Sequence, residues 1–264
     1  MPFPEAPRVI YAHNPLVEVL CQFRFPSNLS IETELPSEFQ KSIRDQYPLY
    51  TEKLELQFKV PDGQDANPII ALPPSAIQSI QRKNHEFLSS DGQWKINLTR
   101  DFIAFSTLTY TRWEDFRSHF VGAYELFTSI YNPPFLTRIG LRYRDVIVRS
   151  KLGLENTSWT ELLKPHILGV LSSSDVEEQV SDINHVTEIK LKDGVSKVRI
   201  IDGLVKDVDT NETCYSIDCD FHVIQNIDVI DSLGKLDYFN QRGSRLIQWC
   251  ITEKLHNAME PTLI

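Results

Sequence analysis

Glycine is scarce, with 10 among 264 residues, and no G-x-x-x-x-G-K-[ST] run occurs. A phosphate-cradling loop needs backbone that can approach its ligand closely, so this shortage argues against a P-loop nucleotide site. The G-x-S-x-G nucleophile elbow and the H-E-x-x-H zinc pair are also missing. Cysteine is rarer still. Cys21, Cys214, Cys219 and Cys250 never form a C-x-x-C pair, and each sits in an apolar or strand-like stretch, which predicts reduced, packed thiols. Positive charge is in deficit, 27 basic residues against 36 acidic ones, with a formal net charge of -9. Duplex nucleic-acid binders draw most of their affinity from neutralising phosphates, so general nucleic-acid binding is disfavoured. No apolar run of about 18 residues is present, which argues against a membrane-spanning helix. The opening Met-Pro-Phe-Pro-Glu-Ala-Pro-Arg lacks the basic-then-apolar order of a secretory signal, and the expectation is a cytoplasmic protein without a membrane partner.

What the chain does have is alternation. Residues 16 to 25, L-V-E-V-L-C-Q-F-R-F, read as a strand with Val17, Val19, Cys21, Phe23 and Phe25 on one side, ended by Pro26. A helix is predicted over about 36 to 47, then a long loop V-P-D-G-Q-D-A-N-P-I-I-A-L-P-P-S, then strands near 77–88, 93–99 and 102–110. Thr111 and Glu114 have capping-box spacing ahead of an apolar face of Trp113, Phe116, Phe120, Ala123, Tyr124 and Phe127, and Asn132-Pro133-Pro134 stops that helix.

The order then restarts. A strand over 135–148 precedes a second possible capping box at Ser158 and Glu161, in a short helix that Pro165 would interrupt. Strands follow near 178–192, 195–201 and 213–224, the first two joined by the hairpin signal Lys192-Asp193-Gly194, and a terminal helix spans roughly 228–257. The fold class predicted is α+β: two pseudo-repeated β-α-β-β-β-α units, 1–132 and 133–264, forming antiparallel sheet or sheets covered by helices. An ungapped offset of 120 relates Val19 to Ile139, Cys21 to Leu141 and Phe23 to Tyr143.

This element order resembles the tandem, saddle-like fold of TATA-box-binding proteins, although no motif of that family is present. A closer resemblance is to a sporadically distributed family of uncharacterised bacterial proteins of about this length. It is carried by N-P-L-V-E-V-L-C-Q-F-R-F near the start, R-W-E-D-F at 112–116, F-L-T-R-I-G-L-R-Y-R-D at 135–145 and S-I-D-C-D-F at 216–221. That resemblance implies a bacterial, accessory protein, in the setting of defence or toxin–antitoxin genes, and supplies no activity.

Two strands carry the candidate chemistry. In T-R-I-G-L-R-Y-R-D-V-I-V-R, residues 137–149, Arg138, Arg142 and Arg144 share one face, opposite Ile139, Leu141, Tyr143 and Ile147. In T-C-Y-S-I-D-C-D-F-H-V, Asp218, Asp220 and His222 share a face, with ligand types suited to a divalent metal. Same-face neighbours stand about 7 Å apart, long for two ligands of one ion. The competing expectation is an ion-pair network in which Arg142 and Arg144 face Asp218 and Asp220, and Arg138 meets Glu18. Trp113 is first a buried helix residue and second a partner-binding anchor. The acidic stretch from Asp202 to Glu212 is predicted to be a solvated loop.

With no catalytic constellation and no cofactor motif, the leading expectation is a non-catalytic binding protein with a protein partner, an antitoxin, immunity or defence-associated component. An anion or small-ligand sensor with an arginine-lined groove is the alternative, and a metal-dependent hydrolase using Asp218, Asp220 and His222 is the third. The oligomeric state stays open.

Overall fold

A computed structural model of the protein describes residues 2–59, 78–173 and 175–264. Strand β1 (Val9–Tyr11) leads to β2 (Leu16–Arg24), where Val19, Cys21 and Phe23 are fully buried and Phe25 follows them inward. Val17 departs from the predicted face. A register irregularity between Leu16 and Glu18 lets Leu16 pack on the core and leaves Val17 exposed. An unexpected short helix, α1 (Leu29–Thr33), capped by the Asn28 side chain, precedes the helix expected over 36–47, which is the shorter α2 (Ser37–Ile43) and buries Phe39 and Ile43. An unexpected strand, β3 (Leu49–Lys59), then pairs with β4 (Gln78–Leu88). The loop predicted from Val60 onward lies outside the described residues.

Strands β5 (Trp94–Thr99) and β6 (Phe102–Thr107) form a hairpin, and α3 (Trp113–Tyr131) follows with the expected buried face. Its capping box does not form. Arg112 occupies the cap position, and the Thr111 hydroxyl and the Arg112 guanidinium both bond the Asp115 carboxylate. Asn132 in the left-handed conformation (φ 39°) closes the helix.

Strand β7 (Leu136–Ile147) is followed by α4 (Trp159–Leu162) and α5 (Pro165–Leu168), with Pro165 at the start of α5, so the proline divides the helix as expected. Ser158 caps no backbone amide; Glu177 instead accepts from the Trp159 amide at 2.6 Å. Strands β8 (Asn184–Lys190), β9 (Lys197–Lys206) and β10 (Thr213–Ile227) complete the sheet. The stretch from Asp202 is therefore not all loop: Asp202 is buried in β9, accepting from the Tyr215 hydroxyl at 2.7 Å and paired with His185 Nδ1 at 3.0 Å. The terminal helix breaks at Ile251, giving α6 (Ser232–Cys250) and α7 (Glu253–Ala258) before β11 (Pro261–Leu263), which pairs with β1.

Among the described residues the fold is α+β, with one nine-stranded antiparallel sheet in the order β3-β4-β5-β6-β2-β7-β10-β9-β8. Helices α3 and α6 cover one face. Phe23 stacks on Tyr124 at 4.1 Å between centroids, Phe105 meets Phe120, and Phe221 meets Phe239. The Tyr124 and Ser232 hydroxyls, 2.8 Å apart, tie the two helices together over the β2–β7 junction. That junction has a symmetric register, with Cys21 opposite Leu141, Val19 opposite Tyr143 and Phe23 opposite Ile139. All four cysteines are free and buried, and no described helix is long and apolar enough to cross a membrane.

Candidate functional site

The even-numbered side chains from Arg138 to Val146 in β7 and from Ser216 to Ile224 in β10 face away from α3 and α6, because the odd-numbered ones between them point to the core. Strand register turns this outer face into rows of alternating charge. One row runs Glu188, Arg199, Asp220, Arg142 across β8, β9, β10 and β7; the next runs Asp218, Arg144, Glu18 across β10, β7 and β2. Opposite charges on facing strands hold register, because a one-residue slip would place every one of them on the apolar side.

The ion pairs run diagonally along this lattice and differ from the expected partnering. Arg142 pairs in bidentate fashion with Asp218, although Asp220 is its direct neighbour. Arg138 reaches past Gly140 to bind both oxygens of Asp220, at 2.9 and 2.7 Å. Gly140 makes this reach possible, since a Cβ there would lie 2.3 Å from Arg138 Nη1. Arg144 faces both Asp218 and Glu18 but is exposed and makes no ion pair among the described residues. Glu18 is thus opposite Arg144, and the residue opposite Arg138 is Arg24.

That last pairing sets like charges face to face. Gln22 Oε1 accepts from both guanidinium groups, at 3.1 Å from Arg24 Nε and 3.1 Å from Arg138 Nη1. Arg82, bonded to Asp101 at 2.7 Å, and Arg24 each bring the guanidinium carbon to 5.9 Å from the centre of the Phe102 ring. Burial and the neighbouring Arg138 charge push the Arg24 pKa down, whereas bonding to Asp218 pushes that of Arg142 up.

Asp218, Asp220 and His222 share the predicted face, but both carboxylates are held by arginines, and His222 Nδ1 bonds the Asp220 backbone carbonyl at 3.1 Å. The described residues contain no cluster of three His, Cys, Asp or Glu side chains able to hold a metal. Trp113 lies on the other side of the sheet, buried, with its indole N–H donating to Asp237 of α6 at 2.7 Å. It is therefore not part of the arginine surface.

Sequence reasoning missed Asp145. It interrupts the apolar side of β7 between Tyr143 and Ile147, is 5% exposed, and forms neither a hydrogen bond nor an ion pair through its side chain among the described residues. Burial, reinforced by the Asp218 charge, raises its pKa from the usual 3.8 to about 7. Its signal was parity: an acidic residue at an odd position in a strand whose odd positions are apolar.

No protein-family model matches the chain, and no curated protein shows significant similarity to it.

Proposed function

We propose that the protein is a non-catalytic binding protein whose outer sheet face holds an acidic segment of a protein partner. One observation carries this reading: Arg24 sits directly opposite Arg138 at the β2–β7 junction, and while Asp220 holds Arg138, Arg24 is bonded to the neutral Gln22 and forms no ion pair among the described residues, which leaves a guanidinium beside a like charge for an incoming anion. Arg144 and Arg199, exposed and without ion pairs among the described residues, extend the same face, so a carboxylate-rich strand or loop would find several guanidinium donors in one plane. The symmetric register about Cys21 and Leu141 supports reading the chain as two related units, 1–132 and 133–264, with this surface at their junction. In the bacterial setting implied by the sequence resemblance, an antitoxin, immunity or defence-associated component is the class of protein that works by such stoichiometric binding.

The test is a titration of the full chain with a glutamate-rich peptide, followed by calorimetry at low and high salt. Binding that weakens with salt and is lost in the Arg24→Glu, Arg144→Glu double variant supports the reading. Peptide affinity unchanged by the double substitution, or absent at low salt, overturns it. Inorganic sulfate run in parallel separates a simple anion sensor from a peptide binder: sulfate binding as tight as the peptide would shift the conclusion to the sensor.

A further inference from the structure

Behind β7, on the face opposite the arginines, a half-open cavity of about 90 Å³ lies between the start of α3, the middle of α6 and the arm that carries β1. Tyr11, Tyr110, Tyr143 and Trp113 contribute its rings, and Asp145 stands at its base. The two arginines of the wall and the Tyr11 and Tyr143 hydroxyls are already engaged. Arg8 pairs with Glu114 in bidentate fashion at 2.7 and 2.8 Å, and Arg112 pairs with Asp115 at 3.0 Å. The Tyr143 hydroxyl donates to Asn240 at 2.9 Å, and the Tyr11 hydroxyl is hydrogen-bonded to His256 Nδ1 at 2.8 Å. Burial pushes the phenol pKa values of Tyr11, Tyr110 and Tyr143 upward, so the rings are neutral walls. What remains is a single buried carboxylate with no counterion, surrounded by aromatic faces that attract cations.

We propose that this cavity binds a small organic ammonium ion, with Asp145 as its counterion and the tyrosine and tryptophan rings as its walls. Three features of the site support that choice of ligand. An unmatched carboxylate selects a cation, its free lone pairs select one with N–H donors, and the ring walls select one with an apolar tail. A cavity of about 150 Å³ accommodates benzene, so this space suits about four non-hydrogen atoms, the size of a propylammonium ion, with longer tails leaving through the open side. Gly243 sets the depth: a Cβ at that position would lie 2.7 Å from Tyr143 Cε2 and force the ring to shift.

The site is independent of the outer arginine face, so either reading can fail without the other. The titratable groups around Asp145 are Arg8 and Tyr11 on the N-terminal arm, Tyr110 and Arg112 before α3, Tyr143 on β7, Cys219 on β10, Cys250 on α6, His256 behind Tyr11, and Asp218 across the sheet; burial pushes both thiols up, so they stay neutral over the range tested. The experiment is calorimetric titration of the full chain with n-propylammonium chloride at pH 8 and pH 5, with 1-propanol as the neutral control of equal size. The expected result is saturable one-to-one binding at pH 8, weaker by about 100-fold at pH 5, where Asp145 is protonated. Asp145→Asn should abolish it in a chain that remains folded, and Gly243→Ala should weaken it without altering charge. Equal affinity at the two pH values, equal affinity for 1-propanol, or no saturable binding at pH 8 would overturn the proposal, and the pH comparison needs no variant.

Discussion

Arg144 and Asp145 are neighbours in sequence and opposites in circumstance. Arg144 points outward from β7, exposed, between two carboxylates on the adjacent strands; Asp145 points inward, 5% exposed, among rings and without a partner. The same strand therefore treats charge in two ways. On its outer side each charge lies near an opposite one, and water screens whatever remains. On its inner side a single negative charge meets no cation and suppresses its own ionisation instead. The composition, acidic throughout, carries no trace of this division, which is set by parity and register.

The largest effect expected from this comparison follows Asp145. Its folded pKa, about 7, lies above the usual 3.8, so the folded chain keeps a proton that the unfolded chain releases. The stability tied to that proton is fully present below about pH 4 and is lost as pH rises through about 7, a change of up to about 4 kcal/mol. Urea melts between pH 4.5 and 8 should show this fall in the wild type and a flatter profile in Asp145→Asn, which should be the more stable chain at pH 8. On the outer side, a double-mutant cycle on Arg142 and Asp218 should give a coupling of about 1 kcal/mol, because Arg142 is 43% exposed although its fork is bidentate. Gly140→Ala is expected to cost no more than about 0.5 kcal/mol in chemical melts. It should still erase the Arg138–Asp220 coupling in the same kind of cycle, since the added methyl occupies the guanidinium's place. Smallest of all, Arg24→Gln should stabilise the chain by about 0.2 to 0.5 kcal/mol at low salt by removing the like charge opposite Arg138, an advantage that salt should abolish.

Much of the layout was legible in the sequence, for reasons that can be named. Strands β2, β7 and β10 alternate apolar and polar residues because one face is covered by α3 and α6 and the other is not, and the apolar stripe of α3 repeats at helical spacing. Strand β3 was missed because it lies at the sheet's edge, where four charged residues in L-Y-T-E-K-L-E-L-Q-F-K blur the contrast between faces. Alpha helix α1, only five residues long, is defined by the Asn28 cap more than by any period. The arginine partners were half legible. Alternation put Arg138, Arg142, Asp218 and Asp220 on one face, but pairing Arg142 with Asp218 and Arg138 with Asp220 requires the strand register and the absence of a side chain at Gly140. Asp145 is marked in the sequence only by its parity, a lone acidic residue on the otherwise apolar side of its strand, and its lack of a partner depends on packing that alternation does not encode.

The most direct test of this account is the titration of the Asp145 carboxyl in the intact chain, followed by its side-chain carbon resonance in NMR and assigned with Asp145→Asn. Half-protonation is expected near pH 7, well above an ordinary carboxylate. A midpoint near pH 4 would mean that Asp145 is solvated or paired, and would remove the contrast between the two sides of β7 on which the account rests.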